Sequence, residues 1–94
     1  MIKHVVCFKL NEGESPAKAK EVLLSMKGQV PMMRSIEVGT DLLGSARSYD
    51  VYLSVTVDSL EALEEYQKDA YHVNVVKKHM HAVTKTSVAV DFEI

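Results

Sequence analysis

Hydrophobic and polar residues alternate with a period of two in four stretches of the chain, a pattern that is typical of β-strands. The stretches are residues 2–10, 35–41, 49–57 and about 84–93. The third is the most regular, because every odd-numbered residue from Tyr49 to Val57 is apolar. The pattern therefore predicts four strands.

A first helix is predicted between the first two strands. Ser15 and Pro16 begin it, because serine is a good N-cap and proline is tolerated at the first helical position. Gly28 and Pro31 end it. Apolar residues between these limits recur at helical spacing and form one stripe: Ala19, Val22, Leu23, Met26 and Val30.

A second helix is predicted after the third strand. Asp58 and Ser59 precede it as an N-cap pair, and Glu61 is expected to close a capping box with Asp58. The helix is expected to break near residues 69–70 and to be followed by a second segment over about 71–80. The apolar positions expected to face inward are Leu60, Leu63 and Tyr66 or Gln67, and then Val73, Val76 and Met80.

The order β-α-β-β-α-β predicts a ferredoxin-like α+β fold in a single domain spanning residues 1–94. Right-handed crossovers place both helices on one face of a four-stranded antiparallel sheet. The face under the helices is expected to carry the more apolar set: Ile2, Val6, Phe8, Ile36, Val38, Val51, Leu53, Val55, Val88, Val90 and Phe92.

The opposite face of the predicted sheet is half apolar. It is expected to carry Val5, Cys7, Tyr52 and Ala89 among lysine, serine, threonine and aspartate residues. A domain of this size buries only about 60–65% of its unfolded surface, so such a face favours cover by a second copy. Sheet-to-sheet packing of two chains predicts a homodimer.

The charge and the lengths of the apolar runs argue against two classes of partner, nucleic acids and membranes. The 94 residues carry 11 basic and 13 acidic side chains, a net charge of −2, without the clustered basic excess typical of nucleic-acid binders. No apolar run approaches the roughly 18 residues that span a membrane. Residues 1–6 do not resemble a secretory signal, and the single Cys7 is compatible with a reducing cytoplasm, where we expect the protein.

Several segments together resemble the stress-responsive α/β-barrel domain family of the dimeric α+β barrel superfamily. They are Ile2–Leu10, Ile36–Asp41, Ser48–Asp50, Tyr66–Gln67, Tyr71–Val73 and Val90–Ile94, and they extend over nearly the whole chain. The resemblance implies the fold predicted above, dimerised through its sheets. Most members of the family have no assigned reaction.

A more distant resemblance, to plant olivetolic acid cyclase, implies ring closure by aldol condensation without an organic cofactor. The matching positions imply that Tyr66 and His72 are catalytic and that His4 lines the pocket. Phe8 and Tyr71 are expected as further substrate-binding residues, with Tyr71, which replaces a small residue, at the pocket mouth. Plant relatives can hold a magnesium ion on backbone carbonyls. The corresponding residues here are Lys27, Val30 and Met33.

The chemistry of these side chains leaves two interpretations open. His72 is suited to abstracting a proton next to a carbonyl, and the Tyr66 hydroxyl is suited to donating to a developing oxyanion. Alternatively, His4 is a hydrogen-bonded core histidine, Tyr66 a buried amphipathic ring and His72 a surface residue. The spacing of His72, His79 and His81 does not resemble a zinc site.

Two functions therefore remain. The first is a homodimeric enzyme that binds an apolar carbonyl compound between sheet and helices and catalyses cofactor-free cyclase, lyase or isomerase chemistry. The second is a non-catalytic ligand-binding or stress-protective dimer. The fold hosts many activities and does not choose between them.

Overall fold

A computed structural model describes all 94 residues. Its strands are β1 (Ile2–Leu10), β2 (Ser35–Thr40), β3 (Val51–Val57) and β4 (Thr84–Glu93). Its helices are α1 (Pro16–Leu24), α2 (Leu60–Lys68) and α3 (Lys78–Val83), and a π-helical turn, His72–Lys77, leads directly into α3. None of these helices has the length and apolar character needed to cross a bilayer.

The four strands form one antiparallel sheet in the order β2-β3-β1-β4. This is the strand order of the ferredoxin-like fold, and the predicted fold class is confirmed. β3 begins two residues later than predicted, at Val51. The Asp50 carboxylate accepts a hydrogen bond from the backbone amide of Leu10 at 2.8 Å, which fixes the end of β1 to the start of β3.

Serine side chains begin both long helices. Ser15 Oγ accepts from the Lys18 amide at 3.0 Å, as predicted. The predicted capping box at Asp58 is wrong, since Ser59 is the N-cap of α2 and its Oγ accepts from the Ala62 amide at 3.1 Å. Asp58 instead receives two hydrogen bonds from the Arg34 guanidinium, at 2.7 and 3.0 Å.

The break after α2 lies where the sequence predicts it. Asp69 leaves the helical conformation, and its carboxylate accepts from the backbone amides of Tyr71 and His72 at 3.0 and 3.2 Å. The chain then resumes in a π-helical turn, whose wider winding alters which residues face the core. Val76 and Met80 are buried as predicted, whereas Val73 is exposed, and so is Leu60 at the start of α2.

A continuous apolar core lies between the helices and the sheet. β3 contributes the most to it, because all four of its odd-numbered residues from Val51 to Val57 are at least 98% buried. Ala19, Leu23 and Met26 cover them from the first helix and the turn that follows. This packing fixes both helices against the sheet and sets the position of the side chains near β1.

The predicted inward face of β4 is wrong by one residue. In the register with β1, Ser87 lies opposite Phe8, Ala89 opposite Val6 and Asp91 opposite His4. Residues directly opposite each other share a sheet face, so these three small or polar residues face the helices. This orientation of β4 is favoured because it brings the Asp91 carboxylate next to the His4 imidazole.

The other residues of β4 therefore lie on the outer face, away from the helices. Val88, Val90 and Phe92 have exposed fractions of 49%, 61% and 44%. Val5 and Cys7 of β1 share this side, because they lie opposite Val90 and Val88. The outer face of the sheet is thus more apolar than the sequence predicts.

Candidate functional site

An open cavity of about 260 Å³ lies between β1, β4 and the helical segments. Val6, Phe8, Leu53 and Met80 form much of its apolar wall. Its volume is slightly below the ~300 Å³ at which pockets for drug-sized ligands begin, so it suits a small molecule. Of the residues predicted at the site, His4, Phe8, Tyr66 and His72 line this cavity.

Three aromatic rings meet at the inner end of the cavity. The Tyr66 ring stacks on His72, with centroids 4.3 Å apart and an interplanar angle of 26°. It also meets His4 edge-on, with centroids 5.9 Å apart. α2 supplies the tyrosine, the π-helical turn the first histidine and β1 the second. The structure thus brings together three residues that are far apart in the sequence.

The surroundings of His72 define its protonation. Nδ1 lies 2.9 Å from the backbone carbonyl of Tyr66. Because a carbonyl only accepts, Nδ1 carries the proton and Nε2 holds the lone pair in the neutral ring. Burial lowers the pKa of His72, although the hydrogen bond to Tyr66 acts in the opposite direction. His72 is therefore neutral at neutral pH and can accept a proton at Nε2.

Tyr66 is the complementary group, a proton donor. Its side chain is fully buried, and this burial raises the pKa of its hydroxyl far above the usual value of 10. The hydroxyl donates to Met26 Sδ at 3.7 Å. Thioether sulfur is a weak acceptor, so this hydroxyl is only weakly held by its partner.

His4 is paired with Asp91, a residue that the sequence analysis did not select. His4 Nδ1 donates to Asp91 Oδ1, which leaves Nε2 as the other ring nitrogen. Asp91 was missed because β4 was placed in the wrong phase. The available signal was a carboxylate that interrupts the apolar stretch Val88–Phe92 of a strand whose antiparallel partner contains a buried histidine.

Tyr71 does not line the cavity, although it was expected at its mouth. Its hydroxyl lies 2.8 Å from Ser25 Oγ, at the end of α1. The turn at Asp69 directs Tyr71 to this side, since the Asp69 carboxylate holds its amide. Tyr71 thus ties the π-helical turn to the end of α1.

The residues expected to hold magnesium fit a cation poorly. Lys27 and Met33 line a common surface cavity, but Val30 does not. The Val30 carbonyl already accepts from the Met33 amide at 3.1 Å, and the neighbouring side chains of Lys27 and Arg34 are cationic. No three histidine, cysteine or carboxylate side chains converge as a metal site elsewhere in the fold.

The lowered pKa of His72 predicts a pH-dependent stability. Below its ordinary pKa of 6.5 the unfolded chain binds a proton that the folded chain resists. The contribution of His72 to the free energy of unfolding is therefore fully present above about pH 6.5 and is lost on acidification. We expect wild type to lose more stability than His72→Phe between about pH 7.5 and pH 5.

Urea unfolding followed by circular dichroism at several pH values measures this difference. The comparison cancels the titrating groups that do not interact with His72, because only residue 72 differs. Equal slopes of unfolding free energy against pH in the two proteins would show that His72 is not held neutral by the fold.

Solved structures from several organisms share this fold. A dimeric protein of unknown function with a ferredoxin-like fold from Bacteroides fragilis is 23% identical, with a TM-score of 0.85 over 99% of this chain and 95% of that one. A dimeric ferredoxin-like protein of unknown function from Thermobifida fusca is 22% identical, with a TM-score of 0.81 over 99% of this chain and 90% of that one.

A hydroxynitrile lyase from Passiflora edulis is also similar. It is 16% identical, with a TM-score of 0.79 over 99% of this chain and 92% of the lyase chain. Identities this low show a common fold only. No curated protein matches the sequence.

The sequence profile of the stress responsive A/B barrel domain matches residues 2–94. The match extends over nearly the whole chain and includes every strand and helix described above. It agrees with the resemblance carried by the first strand, the second helix and the C-terminal strand. The chain therefore belongs to the stress responsive A/B barrel domain family.

Proposed function

We propose that the protein is a cofactor-free enzyme that makes or breaks a carbon–carbon bond next to a carbonyl group. One observation carries the proposal: a neutral imidazole, a protonated phenol and a carboxylate-paired imidazole surround a single small cavity. A base and a proton donor at one site are the groups that carbanion chemistry at a carbonyl requires.

The residues divide the reaction between them. His72 Nε2 removes the proton from a substrate carbon next to a carbonyl, and the electron pair of that C–H bond forms the new carbon–carbon bond. The Tyr66 hydroxyl donates a hydrogen bond to the oxygen on which negative charge develops. His4, oriented by Asp91, holds the substrate, and Phe8 packs against its apolar part. The proton on His72 then passes to the new alkoxide.

The hydroxynitrile lyase relative supports this class of chemistry. Cleavage of a hydroxynitrile is the same bond change in reverse: a base takes the hydroxyl proton, the carbon–carbon bond breaks, and cyanide leaves with the electron pair. A carbonyl compound remains. The reaction needs an acid–base pair and no cofactor, which is what the cavity offers.

Cleavage of mandelonitrile tests the proposal, with 4-hydroxy-4-phenylbutan-2-one as a second, retro-aldol substrate. Both release benzaldehyde, which is followed by its ultraviolet absorbance against an enzyme-free blank. We expect turnover by wild type and a loss of about 10²–10⁴-fold in His72→Ala, the usual contribution of a general base. His79→Ala is the matched control, since His79 lies on α3 but does not line the cavity.

The alternative function, a non-catalytic ligand-binding or stress-protective dimer, predicts a different result. Wild type would bind benzaldehyde but release none from either substrate. Equal turnover in wild type and His72→Ala would likewise contradict the assignment of His72 as the base.

We also propose that the protein is a homodimer joined through its outer sheet face. The relatives from Bacteroides fragilis and Thermobifida fusca are described as dimeric. Three large apolar side chains of β4 stand exposed on that face, as described above. The free thiol of Cys7 on the same face is compatible with a reducing cytoplasm, which we propose as the site of action.

A further inference from the structure

The cavity wall contains no acidic residue, although the chain as a whole has a net negative charge. None of the 14 residues that line the cavity is an aspartate or a glutamate. Its basic groups are His4, which is paired with Asp91, His72, which is neutral at neutral pH, and Lys77 and His81, which make no ion pair. Asp91 is on the same sheet face as Ser87 and Ala89, but it does not line the cavity and its carboxylate is paired with His4. The cavity therefore disfavours cations and is suited to an anion.

Two of these groups lie at the solvent end of the cavity. His81 is exposed and Lys77 is half-buried, whereas Tyr66 and His72 at the inner end are buried. Lys77 and His81 are four residues apart, where the π-helical turn runs into α3, so their side chains are neighbours on one helix face. The mouth of the cavity thus presents two adjacent nitrogen groups.

Lys77 has hydrogen-bonding capacity to spare. Its Nζ donates to the Gln67 carbonyl at 3.2 Å, and an ammonium group has three donors. It lies close enough to His72 for its charge to contribute to the lowered pKa of that ring. The Asp69 carboxylate, which also acts on His72, is held by two backbone amides and does not line the cavity.

We propose that the cavity takes a short amphiphilic carboxylate, with its apolar body among Val6, Phe8 and Met80 and its carboxylate held at the mouth by Lys77 and His81. The proposal rests on the proposed function in treating this cavity as the substrate site, and it defines the substrate class as an apolar carbonyl compound that also bears an acid group. The charge belongs at the mouth because an unpaired carboxylate is costly in the buried interior.

A pair of ligands with the same shape and different charge tests the proposal. The probes are 3-phenylpropanoate and 3-phenylpropanamide, titrated by nuclear magnetic resonance into the full-length protein at low salt. We expect wild type to bind the carboxylate at least about tenfold more tightly than the amide, the ratio for one charge-assisted hydrogen bond. Lys77→Gln should bring the two affinities to within about twofold of each other.

Two further variants complete the experiment. Lys78→Gln is the matched control, since Lys78 is the adjacent lysine and does not line the cavity, and it should keep the preference. His81→Gln, at an exposed position that tolerates substitution, should reduce it. Equal affinities of wild type for both probes, no binding of either, or equal effects of Lys77→Gln and Lys78→Gln would each overturn the proposal.

The result of this binding experiment can be distinguished from the result of the turnover experiment on the proposed enzyme. Mandelonitrile and 4-hydroxy-4-phenylbutan-2-one are neutral, so their turnover does not depend on a site for an acid group. Turnover without charge preference would overturn the carboxylate site and leave the enzyme. Charge preference without turnover would contradict the enzyme and keep the carboxylate site.

Discussion

Replacing Tyr66 by alanine is expected to lower the free energy of unfolding by about 3–5 kcal/mol, the usual cost of removing a large aromatic side chain from a core. The Tyr66 side chain is completely buried, and it stacks on His72 and meets His4 edge-on. Its removal leaves a cavity next to two imidazole rings. A domain of this kind has only about 5–15 kcal/mol of stability, so the change is a large part of the whole.

Tyr66→Phe separates the structural role from the chemical one. It removes only the hydroxyl, whose single partner is the weak acceptor Met26 Sδ, so we expect a stability loss below about 1 kcal/mol. Turnover of mandelonitrile should nevertheless fall by about 10²–10³-fold, because the oxyanion loses its donor.

Chemical denaturation at a fixed protein concentration measures these stabilities, since the stability of a dimer depends on concentration. Leu60→Ala is the control on the same helix, because Leu60 is 66% exposed and its truncation should change stability by less than about 0.5 kcal/mol. A Tyr66→Ala protein as stable as Leu60→Ala would contradict the structure of the core. Unchanged turnover in Tyr66→Phe would remove the proposed role of the hydroxyl.

Val90→Asp is expected to convert the protein from a dimer to a monomer. Val90 is the most exposed of the apolar β4 residues on the outer face, with its neighbours Val88 and Phe92 beside it. A dimer joined through this face would bury two unpaired carboxylates, each at a cost of several kcal/mol. We therefore expect the dimer dissociation constant to rise by at least about 100-fold, or 2.7 kcal/mol.

Sedimentation equilibrium measures this change directly, as a fall from twice the 10.5 kDa chain mass to the chain mass itself. Val75→Asp is the control, since Val75 is an exposed apolar residue of the π-helical turn and lies away from the outer sheet face. A wild-type protein that sediments as a single chain would contradict the dimer. A dimer that survives Val90→Asp would place its interface elsewhere.

The inward face of β4 was predicted wrongly for a physical reason. Alternation shows that a strand has two different faces, but it does not show which face the helices cover. The rule that the more apolar face packs inward works for β3, where the odd-numbered residues are buried. It fails for β4, where the inward face must meet the His4 ring and leave room for a cavity, and where the apolar face is free for another copy.

Part of the candidate site could be predicted from the sequence, and part could not. His4, Tyr66 and His72 were predicted because each stands at a buried position of a regular pattern or at a position implied by the resemblance to olivetolic acid cyclase. Asp91 was hidden by the phase of β4. The neighbouring cations Lys77 and His81 were hidden because the π-helical turn, which no spacing in the sequence indicates, decides which residues of this segment face the cavity.

The π-helical turn also bears on how such a protein changes over evolution. A π-helical turn holds one residue more than an α-helix of the same span. Deleting one exposed residue there, such as Asn74, would restore α-helical winding, so that residues inside the turn change direction while the segments on either side keep their places. A single codon lost or gained can therefore alter which side chains of this short segment face the cavity, while the flanking elements stay in place.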